Sequence, residues 1–153
     1  LIQDPRPDTE ALVHWNLVEA VGEEDPQKLF RIGGISDPAI GRNNFLWNHE
    51  MRPRPDGWGE LWADDDLDAN VAPMTWTCME WMFDSDTETS RMFWDGEERP
   101  RLHVIAEAQD TRFDMPPVHN LKIGWTVYQT LDIPYVVWID EVAVDHDRIG
   151  CDP

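Results

Sequence analysis

The sequence predicts an all-β fold in which two antiparallel sheets pack as a sandwich. Short runs of β-branched and aromatic residues recur along the chain, and each run ends at Gly, Pro, Asp or Asn. Twelve prolines and nine glycines are spread over the whole length, which is typical of many strands joined by turns. No amphipathic helix of three turns is evident, and 153 residues without a repeat or linker indicate one domain over residues 1–153.

The first predicted strands lie at 11–20 and 29–35, and a long loop joins them as a hairpin. Gly, Pro and Asp mark the predicted turns, which are Asp56-Gly57, Asp95-Gly96, Pro116-Pro117 and Ile133-Pro134. Further strands are predicted at 44–51, 60–62, 74–84, 90–94, 101–110, 121–129 and 135–145.

Alternation within these strands predicts which side chains face the core. In 121–129 the apolar set is expected to be buried: Leu121, Ile123, Trp125 and Val127. The other face carries Lys122, Gly124, Thr126 and Tyr128. In the first strand His14, Asn16 and Val18 are expected to share a face. Four of the nine tryptophans are predicted in the core: Trp76, Trp81, Trp125 and Trp138.

The charge of the chain excludes several classes of partner. Twelve basic residues against 31 acidic residues give a formal charge of −19. Nucleic acid is held mainly by Lys and Arg at phosphates, so this surface would repel it, and an anionic membrane surface is disfavoured for the same reason. No stretch approaches the length of an apolar membrane span. The chain begins at Leu1, without Met, which favours a processed or truncated product.

Two cysteines are present, Cys78 and Cys151. A bond between them would close a loop over most of the second half of the chain and stabilise the fold by about 4 kcal/mol. Two thiols alone leave their pairing, and the redox compartment, open.

Three segments of the chain together resemble the concanavalin A-like jelly roll. They are 76–84 followed by 91–96, then 120–129, and finally 137–144 followed by 148–151. The resemblance implies a two-sheet antiparallel jelly-roll sandwich, and the strands counted here suggest that one or two N-terminal strands lie outside the chain. It also implies a secreted, extracellular protein that binds a polysaccharide.

Within that superfamily the chain is most similar to secreted proteins related to alginate and glucuronan lyases. Those lyases carry a strand reading Lys-x-Gly-x-Tyr-x-Gln. Lys122-Ile123-Gly124 and Tyr128-Gln129 are similar, with two extra residues between Gly and Tyr. The Gln-x-His and Arg-x-Glu strands of those lyases have no counterpart in the sequence.

The resemblance implies β-elimination on a uronate-containing glycan. A cation or amide would neutralise the C5 carboxylate, a base would remove the C5 proton, and an acid would protonate the leaving O4. We expect Tyr128 as acid or base, and His14 as the base ahead of His49 and His103. The residues expected to be catalytic are Tyr128, His14, Lys122 and Arg31. Those expected to bind substrate are Gln129, Asn44, His49 and Trp47.

The resemblance also implies a structural calcium ion, with Asp140 among its ligands. A glycoside hydrolase would need two flanking carboxyl groups, and no such pattern stands out. The alternative function is that of a non-catalytic structural or assembly subunit of an extracellular layer or filament. Open sheet edges would then join copies as a homo-oligomer.

Overall fold

The fold is described from a computed structural model of the chain. The described residues are 2–3, 12–22, 29–37, 42–54, 57–64, 72, 74–105, 117–129 and 136–151. For residues 2–3, 37, 42–54, 57–64 and 104–105 the description is of the backbone alone.

The described part of the chain is built almost entirely of strands. In chain order they are β1 (Ile2–Gln3), β2 (Val13–Gly22), β3 (Leu29–Asp37), β4 (Arg42–Arg54), β5 (Gly57–Asp64), β6 (Met79–Asp84), β7 (Thr89–Trp94), β8 (Glu97–Glu98), β9 (Val104–Ile105), β10 (Val118–Val127) and β11 (Val137–Trp138). A 3₁₀ turn spans Pro100–Leu102. Among these residues there is no helix with the length and apolarity that a membrane span requires.

The strands form two larger antiparallel sheets, as predicted. One sheet has the order β10-β2-β3-β4-β5. In the other, β7 pairs with β6, β8 and β9. Strands β1 and β11 form a separate antiparallel pair. Four strands of the five-stranded sheet, β2 to β5, are adjacent both in sequence and in the sheet. Strand β10 lies at the edge next to β2, although more than ninety residues separate the two strands in sequence.

The core lies between the two sheets. Phe30 of β3 is fully buried and meets Phe83 of β6 edge-on, with ring centroids 5.2 Å apart. Burial of one such side chain contributes about 1.5–3 kcal/mol. The buried cluster comprises Val13, Trp15, Leu17, Val18, Ala20, Phe30, Ile32, Met92, Trp94 and Leu102. Against it pack Ile123, Trp125 and Val127 of β10, the apolar face expected there, whereas Leu121 near the start of that strand is exposed.

A β-bulge at Leu17 corrects one of the predicted faces. The register of β2 against β3 shifts between Asn16 and Val18, because Asn16 pairs with Gly33 and Val18 pairs with the adjacent Ile32. Leu17 is the extra residue, and an extra residue reverses the alternation beyond it. Val18 therefore lies in the core instead of sharing a face with His14 and Asn16.

The region around Trp76 differs from the prediction. The predicted strand 74–84 starts only at Met79, after a left-handed residue at Met74 (φ 58°). Trp76 is 55% exposed and Trp138 is 43% exposed, so neither belongs to the core. Trp76 precedes β6 and so lies outside the sheet, and Trp138 belongs to β11, which is only two residues long. Within the described part of the chain, neither side chain is covered by a longer sheet.

Two other predicted strands differ from expectation in the part of the chain that the structure describes. The stretch 135–145 contributes only Val137–Trp138. In 101–110 the 3₁₀ turn ends at Leu102, strand β9 covers Val104–Ile105, and residues 106–110 lie outside the described part. The Asp95-Gly96 turn is confirmed: φ is 48° and 83°, the two positive values that a tight hairpin turn between β7 and β8 requires.

The last described residues are fastened to β6. Cys151 forms a disulfide with Cys78, with Cα atoms 5.7 Å apart and a sequence separation of 73. In the chain-entropy model, closing this loop stabilises the fold by about 4 kcal/mol. The Glu80 carboxylate accepts hydrogen bonds from Arg148 Nη2 (2.7 Å) and from the Gly150 backbone N–H (2.8 Å). Arg148 holds the pKa of Glu80 below its ordinary value, against the opposing effect of burial. The disulfide and these hydrogen bonds hold residues 148–151 against β6, although residues 148–151 form no strand.

Gly34 of β3 packs directly against the indole of Trp15. A Cβ added at Gly34 would lie 2.1 Å from Cζ2 of the Trp15 indole. We expect Gly34→Ala to lower the free energy of unfolding by about 2 kcal/mol, because the core must shift to admit the methyl group. Urea denaturation measures it.

The matched control is Gly124→Ala, whose added Cβ would meet nothing within 4 Å. Its unfolding free energy should change by less than about 1 kcal/mol. Equal stability of the two variants would contradict the packing of Trp15 on Gly34.

Candidate functional site

One face of the five-stranded sheet carries a set of polar side chains that lie side by side across three strands. We call this set the polar face. It comprises His14, Asn16 and Glu19 of β2, Arg31 of β3, Lys122 of β10, and Tyr128 and Gln129 just beyond β10. The register places Glu19 directly opposite both Arg31 and Lys122.

Tyr128 lies at one end of the polar face and is 51% exposed. Its hydroxyl oxygen accepts a hydrogen bond from Nδ2 of Asn16 at 2.5 Å, and its backbone N–H donates to the carbonyl of His14 at 3.0 Å. The Arg31 guanidinium carbon lies 5.9 Å from the centre of the Tyr128 ring. The phenol is therefore held in place and still reaches solvent.

The orientation of His14 is set by Gln129. Oε1 of Gln129 accepts a hydrogen bond from the His14 backbone N–H at 2.5 Å. The same amide's Nε2 lies 3.1 Å from Nδ1 of the His14 ring. Since an amide nitrogen only donates, Nδ1 accepts, and the neutral ring carries its proton on Nε2.

Glu19 lies between two cations. One carboxylate oxygen is 2.6 Å from Lys122 Nζ, and the other is 3.1 Å from Arg31 Nε. Burial of the carboxyl opposes its ionisation, but the hydrogen bonds from Lys122 and Arg31 outweigh burial and hold the pKa of Glu19 below 4.5. Glu19 is thus ionised at neutral pH.

A surface depression of about 350 Å³ opens between β2 and β10, beside the polar face. It lies where the ladder is interrupted, because the Leu17 bulge faces a register shift between Ile123 and Thr126. Asn16, Glu19 and Lys122 contribute to its lining, together with Gly124. The interruption of the ladder therefore creates a recess that three residues of the polar face help to line.

The structure brings together five of the residues that the sequence singled out: Tyr128, His14, Lys122, Arg31 and Gln129. Asn44, Trp47 and His49 lie on β4, paired in register with Ile35, Ile32 and Phe30, and their side chains are outside the described part. His103 lies between the 3₁₀ turn and β9, which belongs to the other sheet, and its Nδ1 is 3.5 Å from a carboxylate oxygen of Glu98.

Sequence reasoning gave no role to Asn16 and missed Glu19. Simple alternation places Glu19 on the core face with Trp15, and only the bulge at Leu17 turns it to the polar face. Simple alternation gives Glu19 the same face as Trp15, Leu17 and Val21, and a charged residue in this otherwise apolar set is the signal that could have revealed the bulge.

Asp140, the expected calcium ligand, is exposed, and its Oδ1 accepts a hydrogen bond from the Glu141 backbone N–H at 2.9 Å. Within the described residues, no group of three His, Cys, Asp or Glu side chains could hold a metal ion. The calcium ion expected at Asp140 therefore stays a prediction.

Comparison of the chain with protein-family models, with curated proteins and with solved structures gives no match.

The ion pairs of Glu19 predict how stability depends on pH. Because the folded pKa of Glu19 lies below 4.5, its pairing stabilises the fold above that pH, and the stabilisation is lost as the pH falls through the folded pKa. Glu19→Gln should therefore be less stable than the wild type at pH 7, by about 1 kcal/mol, and the difference should shrink in acid.

Urea denaturation of both proteins between pH 7 and pH 3 measures this difference. Glu97→Gln, at an exposed position of β8, is the matched control and should show no such trend. A difference that persists or grows in acid would contradict the ion pairing.

Proposed function

We propose that this protein is a secreted jelly-roll protein of the concanavalin A-like kind whose polar face binds an extracellular polysaccharide. The observation that carries the proposal is Tyr128, an exposed phenol hydrogen-bonded to Asn16, next to Arg31 and beside a recess. Amide, hydroxyl and cationic groups on an exposed sheet suit the hydroxyl and carboxylate groups of a glycan. The Cys78–Cys151 disulfide fits an oxidising, extracellular compartment.

We further propose β-elimination on a uronate-containing glycan. Tyr128, as the phenolate, takes the C5 proton. The electrons of the C5–H bond form the C4–C5 double bond while the C4–O4 bond breaks. The phenol then returns the same proton to O4, so that Tyr128 ends as it began. Asn16 positions the oxygen for both steps by its hydrogen bond.

His14 takes a different role in this proposal from the base first expected of it. With Nδ1 accepting from Gln129, the neutral ring carries its proton on Nε2 and donates rather than accepts there. His14 and Arg31 would therefore bind the C5 carboxylate, which makes the adjacent C–H more acidic. Gln129 keeps the ring in this tautomer.

The charge of −19 opposes the approach of a polyuronate over long distances. At 1 M salt the Debye length falls to about 3 Å, so the overall repulsion is screened and contacts at the polar face decide binding. We therefore expect the activity to rise with ionic strength.

A second candidate function, a structural or assembly subunit, is favoured by the C-terminal segment. Residues 139–149 carry exposed apolar side chains at Ile139, Val142, Val144 and Ile149, outside any strand. A strand from a neighbouring copy could pair there. Assemblies detected by light scattering, from a protein that retains no glycan, would favour this candidate.

The test is a screen of polyuronates at low and high salt for the ultraviolet absorbance of unsaturated uronate ends. Tyr128→Phe should lower the rate at least about 100-fold, because a general acid–base group is lost. Tyr135→Phe, which removes the only other tyrosine, should leave the rate unchanged. Absence of absorbance with every substrate at both salt concentrations would refute the lyase.

A further inference from the structure

Three side chains on neighbouring strands form a row of ion pairs: Lys122, Glu19 and Arg31. Glu19 is the acidic member of this row and lies in its middle. Each of its two carboxylate oxygens contacts one of the cations. The pair with Arg31 is well shielded, with side-chain exposures of 15% and 20%, whereas Lys122 is 61% exposed. The row therefore runs from a partly buried cation, Arg31, to one that extends into solvent, Lys122.

The three side chains of the row carry unequal charge. Lys122 and Arg31 contribute +2 and Glu19 contributes −1, which leaves +1 on the three side chains. Because both cations stabilise its ionised form, Glu19 keeps this charge at neutral pH. It thus cancels half of the positive charge that the row offers to an anionic ligand.

The position of Glu19 makes this cancellation relevant to ligands. Glu19 and Lys122 both line the recess between β2 and β10, and Arg31 lies next to Tyr128. A ligand carboxylate that approaches either cation meets the carboxylate already bound there. Glu19 repels each ligand carboxylate that comes close, so several closely spaced carboxylates are opposed more strongly than a single one.

We propose that Glu19 is a specificity-determining residue that selects glycans with widely spaced carboxylates over glycans that carry a carboxylate on every sugar. This proposal rests on the proposed function, because it assumes that the polar face binds a glycan. The preferred ligand is a heteropolymer in which uronate alternates with neutral sugar.

Affinity electrophoresis or calorimetry tests the proposal with three probes: a glucuronate homopolymer, a polymer in which glucuronate alternates with a neutral sugar, and a neutral β-glucan. The measurements use Tyr128→Phe as the background so that no probe is cleaved. In that background Glu19→Gln should bind the homopolymer about tenfold more tightly at low salt. The gain should be smaller for the alternating polymer and absent for the β-glucan.

Two further variants serve as controls. Glu97→Gln removes the same charge from the other sheet and should change no affinity, which separates local from overall charge. Lys122→Gln removes an exposed cation, so the fold should tolerate it, and it should weaken homopolymer binding several-fold. The second variant tests the row even if Glu19→Gln folds poorly.

The outcomes separate this proposal from the proposed function. Tighter homopolymer binding by Glu19→Gln but not by Glu97→Gln, with weaker binding by Lys122→Gln, supports it. If the unsubstituted background binds glycan and these variants bind the homopolymer equally well, the role of Glu19 is overturned and the proposed function stands. If no glycan binds to any variant, both are overturned.

Discussion

The pairing of β2 with β10 is the constraint on which the described site depends. It joins residues 15–22 to residues 118–127, so the two strands meet only after the rest of the chain has closed a long loop. On the core side this pairing stacks Trp15 on Trp125, with ring centroids 4.8 Å apart. On the opposite side it brings Lys122 to Glu19. The same ladder therefore secures the core and assembles the polar face.

The bulge at Leu17 determines which side chains this ladder places on the polar face. A regular strand would direct Glu19 into the core, where an ionised carboxylate is strongly disfavoured. The extra residue turns Glu19 outward between two cations and also opens the recess between β2 and β10. Bulges often occur next to binding sites because they redirect a side chain without dismantling the sheet.

Much of this arrangement follows from the sequence, because alternation is a local property. The pairing of the first two strands, the Asp95-Gly96 turn and the outward position of Lys122 were all predicted correctly. The alternation in β2 failed beyond Leu17, since a bulge depends on tertiary pairing. Trp138 was wrongly predicted in the core. Its neighbouring residues indicate a strand, but they do not show which strand it pairs with or whether it is buried. The glycan specificity proposed for Glu19 has no local signal, because it would depend on charges from three strands.

The central claim is that ligand binds where β2, β3 and β10 present the polar face. Amide chemical-shift mapping tests it most directly, with a short glucuronate oligosaccharide added to the 17.8 kDa protein carrying Tyr128→Phe. The account predicts shifts concentrated at 14–19, at Arg31 and at 122–129. Shifts confined to the sheet of β6–β9, or no shifts at saturating oligosaccharide, would contradict it.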